Sequence, residues 1–339
     1  MTDEISSYYS GKNILITGGT GSFGKRFVKT ILDGTDINSV IVFSRDELKQ
    51  HEMQREIQDP RLKFFIGDIR DKERLNRAFK ANVNIVVHAA ALKQVPACEY
   101  NPFEAIKTNV IGAKNIIDAA IDSGVSRVMA LSTDKAVNPL NLYGATKLCM
   151  EKIFTHGNSY AGPQETRFAC VRYGNVVGSR GSVIPIFLQQ RESGQLTVTD
   201  ERMTRFWLTL NQGVNFVMRC IPLLTGGEVF VPKIPSMGIM NLAQALGPDC
   251  EIKITGIRAG EKLHESLISE DEARNAISLD KMFIIHPANR SWIDPGTLTG
   301  DSLPEGFSYR SDNNDEWLTK EELENLAQAP DGVKLDDDK

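Results

Sequence analysis

The 339 residues hold no two cysteines in CxxC spacing and no histidines paired as HxH or HExxH. The cysteines (Cys98, Cys149, Cys170, Cys220 and Cys250) are scattered and odd in number. That excludes a disulfide framework and fits the reduced thiols of a cytoplasmic protein. With the histidines isolated as well, no metal site is expected. No run approaches the roughly 18 apolar residues of a membrane span, and the polar, acidic stretch Met1–Gly11 does not read as a secretory leader. A net charge of −5 without a concentrated basic face argues against nucleic acid as a partner. No internal repeat is present.

What is present is ordinary for a globular chain, 41% hydrophobic and 24% charged. Its first half alternates short β-branched runs with amphipathic ones. Strands are predicted at Asn13–Thr17, Ser39–Phe43, Leu62–Ile66, Asn84–Ala89, Arg127–Ser132 and Thr166–Tyr173. Helical patterns lie at Glu47–Glu56, Asp71–Phe79, Glu104–Asp122 and Tyr143–Thr155. This alternation predicts an α/β fold, a Rossmann-type doubly wound parallel sheet with helices on both faces. Near Gly181 the rhythm breaks into short segments rich in glycine, proline and charge. We expect a Rossmann domain over 1–180, with a return strand near 228–231. A smaller, partly interleaved substrate-binding domain follows over 181–327, and 328–339 reads as a disordered acidic tail. The second domain should lie over the C-terminal ends of the strands, where ligands bind in open α/β sheets.

The first strand runs into Gly18-Gly-Thr-Gly21-Ser-Phe-Gly24 and then into an apolar helical pattern. Gly18 permits the tight turn, Gly21 lets a pyrophosphate approach the backbone, and Gly24 lets helix pack on strand. Amides at the helix start then face the phosphates. After the second strand, Ser44-Arg45 stands where an NAD site usually has a carboxylate. A hydroxyl and a guanidinium suit a 2′-phosphate instead, so NADP is the expected cofactor. Asp46 reads as the start of the next helix. Asp68, after the third strand, is placed either to reach the adenine amine or simply to form a turn.

The chemical residues cluster later. Tyr143 and Lys147 are four residues apart, hence on one helix face, where a lysine cation lowers a phenol's pKa and readies it to take a hydroxyl proton. Ten residues earlier, Thr133-Asp134-Lys135 sits at a predicted strand end. A simple oxidoreductase needs only the hydroxyl there. An acid and a base directly after it imply a proton-transfer task beyond hydride movement. For such a pair to divide the work, burial should lower the pKa of Lys135 and raise that of Asp134.

Together these residues resemble the extended short-chain dehydrogenase/reductase superfamily. More closely, the chain is similar to the soluble UDP-N-acetylglucosamine 4,6-dehydratases that invert C5, at the head of pseudaminic acid biosynthesis. The likeness runs from Ile14 to about Leu326 and is carried by ITGGTGSFG (16–24), FFIGDIRD (64–71), HAAALKQVP (88–96), STDKAVNPLNLYGATK (132–147), MTRFW (203–207) and GIRAGEKLHE (256–265), among others. Tyr143, where retaining relatives carry methionine, favours inversion. Gln94 and Ala259 depart from the family's histidine and proline. The resemblance implies further cofactor contacts at Thr20, Ser22, Phe23, Ile69, Ala89 and Val176, and at Tyr143 and Lys147 beside their chemical role. It also implies substrate contacts at Lys93, Asn175, Arg180, Arg205, Arg258 and Glu261, and a homo-oligomer. In the implied cycle Tyr143, helped by Lys147, takes the 4-hydroxyl proton and Thr133 holds the 4-keto oxygen. Lys135 is then the candidate base at C5 and Asp134 the acid for the departing 6-hydroxyl, although which of the two acts at C5 stays open. The alternatives are a retaining dehydratase, a UDP-sugar epimerase, a net reductase and, from another class, a non-catalytic NADP-sensing regulator.

Overall fold

The computed structural model describes residues 2–162, 165–177, 183–288 and 298–328. Six successive strands start the parallel part of the main sheet: β1 (Asn13–Thr17), β2 (Ser39–Ser44), β3 (Leu62–Ile66), β4 (Ile85–His88), β5 (Arg127–Thr133) and β6 (Arg167–Tyr173). The sheet is extended by β7 (Val229–Pro232), β8 (Ala276–Ser278), β9 (Met282–Ile285) and β10 (Asp301–Ser302). The order across it is β10-β8-β9-β7-β6-β5-β4-β1-β2-β3. Chain direction across the sheet reverses beside β1, which pairs with β2 on one side and β4 on the other. A crevice therefore opens beyond the C-terminal ends of β1 and β4, the usual ligand position in such sheets.

The buried strands read as continuous apolar runs because helices cover both faces: all four residues of β4 are buried. The helix Ser22–Gly34 lays Phe27, Val28, Ile31 and Leu32 into this core at the spacing of one helix face. β7 pairs parallel with β6, and β9 and β8 follow antiparallel. The main sheet thus takes four strands from the second half of the chain. A second hydrophobic core, including Phe187, Trp207, Leu242 and Leu246, forms among residues 177–323.

The helical stretch read as Glu104–Asp122 is interrupted. Pro102–Ile106 and Gly112–Asp122 are α-helical, but Lys107–Ile111 forms a π turn. Such single turns occur mostly at functional sites, and this one carries a buried asparagine, Asn109. Its Nδ2 donates to the Leu92 carbonyl at 2.8 Å and to Thr146 Oγ1 at 3.0 Å, and its Oδ1 accepts from the Leu92 amide at 2.8 Å.

Candidate active site

Gly18 has φ of +67°, a conformation that favours glycine, and a Cβ there would stand 2.9 Å from the Ala90 backbone. A Cβ on Gly24 would come within 2.4 Å of Gly19 Cα. Helix Ser22–Gly34 begins after Gly21 with no side-chain cap, so its first amides are open to a ligand. This cradle fits the pyrophosphate of a dinucleotide.

The cradle opens into a cavity of about 650 Å³. Every residue expected at the cofactor lines it: Gly18, Thr20, Gly21, Ser22, Phe23 and Gly24 from the turn, Ser44 and Arg45 after β2, Asp68 and Ile69 after β3, Ala89 after β4, and Val176. Thr133, Asp134, Lys135, Tyr143 and Lys147 line the same cavity, as do Lys93 and Asn175. Arg45 Nη1 is 3.7 Å from Asp68 Oδ2 and its side chain is 55% exposed, which leaves it free to turn toward an incoming anion. Asp68 is held chiefly by Arg70, whose Nη2 lies 2.7 Å away. Asp46 caps the helix Glu47–Glu56 through the Lys49 amide.

Three residues expected at the substrate lie elsewhere. Arg258 and Glu261 are not among the cavity's lining residues; they face each other at 3.8 Å on a loop, with Arg258 72% exposed. Arg205 is buried in protein contacts rather than open to a diphosphate. Its Nη1 donates to the carbonyls of Thr204 (2.7 Å) and Leu263 (2.9 Å), and its Nη2 to that of Lys262 (3.0 Å). Arg180 lies outside the described residues, as do residues 329–339 of the expected tail.

At the chemical end, β5 delivers Thr133 and a short 3₁₀ turn, Asp134–Ala136, delivers the acid and the base. Asn141 caps the helix Leu142–Ala161 by accepting from the Gly144 amide at 2.8 Å, which sets Tyr143 in the first turn. Thr133 Oγ1 donates to Asp134 Oδ1 at 2.9 Å, and Lys135 Nζ donates to the same oxygen at 3.0 Å. Asp134 Oδ2 is buried without a hydrogen-bond partner. Burial and the nearby Glu265 carboxylate push the Asp134 carboxyl above the usual range, the direction the sequence predicts.

Lys135 corrects the expectation. Burial pulls it down, but Asp134 and Glu265 together outweigh that and hold its ammonium above its ordinary value. Tyr143 differs as well. Burial pushes its phenol up to about 12, and the opposing pull comes from the Lys135 charge and a hydrogen bond with Thr133. Lys147 Nζ instead donates to the Leu131 carbonyl at 2.5 Å, and burial brings its pKa down to about 8. Asn109 and Glu265 are contributors that the linear pattern does not reveal. A polar side chain on the buried face of a helix is the only sequence sign of the first, and the second closes the motif GIRAGEKLHE (256–265) without any sign of what it meets.

A family model described as polysaccharide biosynthesis protein matches residues 14–287. The chain belongs to this family. Within it, the UDP-N-acetylglucosamine 4,6-dehydratase (inverting) of Campylobacter jejuni subsp. jejuni serotype O:23/36 (strain 81-176) is 50% identical over 333 residues, covering 96% of this chain and 99% of the relative. A UDP-glucose 4-epimerase of Rickettsia canadensis (strain McKiel) is 44% identical over 282 residues, covering 81% of this chain and 82% of the relative. Among solved structures, Pen from Bacillus thuringiensis is 39% identical with a TM-score of 0.86, covering 95% of this chain and 98% of that one. The fold is that of the short-chain dehydrogenase/reductase dehydratases and epimerases. Among the described residues, no group of histidine, cysteine, aspartate and glutamate could hold a metal ion, and no helix is long and apolar enough to cross a membrane.

Proposed function

We propose that this member of the polysaccharide biosynthesis family is an NADP-dependent UDP-N-acetylglucosamine 4,6-dehydratase that inverts C5. The observation that carries the reading is the pairing of the buried Asp134 with the half-buried Lys135 beside Thr133 and Tyr143, all lining the cavity that contains the glycine cradle. The inverting dehydratase that matches 96% of the chain supports it. Gly18, Gly21, Gly24, Ser44 and Arg45 would hold the dinucleotide, which when bound supplies the hydride acceptor for C4 and the hydride donor for C6. Tyr143 takes the proton of the 4-hydroxyl, and Thr133 hydrogen-bonds the carbonyl oxygen that results. Asp134, whose carboxyl burial pushes above the usual range, is the acid that protonates the departing 6-hydroxyl. Lys135 in its amine form, its ammonium proton having passed to solvent, takes the C5 proton as the 6-hydroxyl leaves as water, and a solvent-derived proton then reaches C5 from the other face. Lys93 and Asn175 are placed to contact the sugar nucleotide from the cavity wall.

The test is incubation with UDP-N-acetylglucosamine, without added reductant, followed by NMR of the product. A 6-deoxy-4-ketohexose of L-arabino configuration is expected. The epimerase relative gives the second reading substance, and recovery of only a 4-epimer would establish that reading instead. An epimerase cycle gives no task to an acid at the 6-hydroxyl, which is why the Asp134–Lys135 pair favours dehydration.

For the cofactor, Arg45→Ala is expected to weaken NADP⁺ binding by about 10- to 100-fold, the worth of one charged hydrogen-bonding group. NAD⁺ affinity should change little. Calorimetric titration of both nucleotides reads the difference, and equal losses for the two would remove the 2′-phosphate role.

A further inference from the structure

Glu265 is 3% exposed and sits between the bridge joining Thr204 to His264 and the strand Ser266–Ile268. Its amide donates to Ser311 Oγ at 2.9 Å, and its carbonyl accepts from the Ser311 amide at 2.9 Å. So clamped, the side chain places Oε1 at 3.3 Å from Lys135 Nζ and 3.9 Å from Arg205 Nε, while Oε2 is 3.9 Å from Lys262 Nζ. Lys135 Nζ is also 3.0 Å from Asp134 Oδ1. One lysine therefore bridges two buried carboxylates, one from the end of β5 and one from the second half of the chain. Each carboxylate keeps an oxygen with no hydrogen-bond partner. Burying ions so incompletely satisfied is costly and is poor design for packing alone.

We propose that Glu265 is a positioning residue of this active site: as a fixed buried anion it anchors the Lys135 ammonium and disfavours a second negative charge on Asp134. The kinetic half of this inference rests on the dehydratase reading; the electrostatic half rests on the geometry alone. The charged and titratable groups facing the cluster are Asp134, Lys135 and Tyr143 from the first half of the chain, and Arg205 and Lys262 from the second. Arg205 and Lys262, with Lys135, hold Glu265 ionised although burial opposes it. The anion in turn disfavours a second negative charge on Asp134 and favours the positive one on Lys135. Both effects delay proton loss. Neutralising Glu265 must then move both losses to lower pH.

The experiment uses the full chain with ¹³C-labelled aspartate carboxyls, the Asp134 signal being identified by its disappearance in Asp134→Asn. In Glu265→Gln the Asp134 midpoint is expected to fall by about one pH unit or more. The alkaline limb of kcat for dehydration should move in the same direction, with KM little changed. Glu265→Asp draws the anion back by one methylene and should give a smaller shift of the same sign, which provides the reading if the Gln variant does not fold. An Asp134 midpoint unmoved in a folded variant overturns the proposal and leaves Glu265 a packing residue. Absence of dehydration in the wild type would instead strike the functional reading, while the carboxyl titration would still decide this one.

Discussion

Tyr143→Phe is expected to lower dehydration of UDP-N-acetylglucosamine by about a thousandfold, the middle to upper range for loss of a positioned acid–base group. The substitution removes one oxygen. The ring's packing and the helix cap at Asn141 stay in place, so KM and dinucleotide affinity should change little. The cavity holds the phenol at a pKa of about 12 before any ligand binds, with Lys135 and Thr133 opposing the effect of burial. Because the phenolate is the active form, ionisation of the phenol should give wild-type kcat an ascending limb, opposed by the descending limb that proton loss from Asp134 sets. Any positive charge brought beside the ring on ligand binding moves the rise to lower pH. The residual activity of Tyr143→Phe should lose this limb. Steady-state kinetics across pH, with product followed by NMR, checks both statements. Equal kcat in the two proteins would remove the phenol from the reaction.

The lysine that matters electrostatically for this phenol also marks where the sequence ceases to be a guide. Four-residue spacing correctly places Tyr143 and Lys147 on one helix in one cavity. It does not say that Lys147 turns to the Leu131 carbonyl while Lys135 supplies the nearby charge. The glycine turn was legible because its demands are local: a positive φ at Gly18 and close approach at Gly24 are dictated within a few residues. The first six parallel strands were legible for the same reason, as short apolar runs between turns. Glu265 was not, because nothing near it in the chain announces that it will meet Lys135. That tertiary contact adds to the larger pull of the neighbouring Asp134, and together the two outweigh the effect of burial on the lysine. Arg205 shows the converse: a guanidinium in a recognisable motif suits a diphosphate, and only the fold adds that its nitrogens donate to three backbone carbonyls. The second half's contribution to the main sheet was legible only at β7, since β8 to β10 are two to four residues long and carry almost no periodic signal.

A larger effect on stability is expected from Arg172→Met. Arg172 is 1% exposed on β6 and holds two carboxylates at once. Its Nε and Nη2 donate to Glu151 at 3.0 and 2.6 Å, and its Nη1 and Nη2 donate to Glu272 at 3.0 and 2.8 Å. Nη1 also donates to the Leu267 carbonyl at 2.9 Å. Glu151 lies on the helix that carries Tyr143 and Lys147, one turn beyond the lysine, so this arginine ties the helix to β6 and to the segment that ends at Glu272. Methionine fills similar volume but leaves the Glu151 carboxylate buried with its charge unmatched. That should cost about 3–5 kcal/mol, read by urea unfolding at pH 7. Adding Glu151→Leu should recover most of the loss, since Glu272 is 21% exposed and can turn to solvent. A double variant no more stable than Arg172→Met would mean that the arginine's geometry at Leu267 and Glu272, rather than the stranded charge, carries the effect.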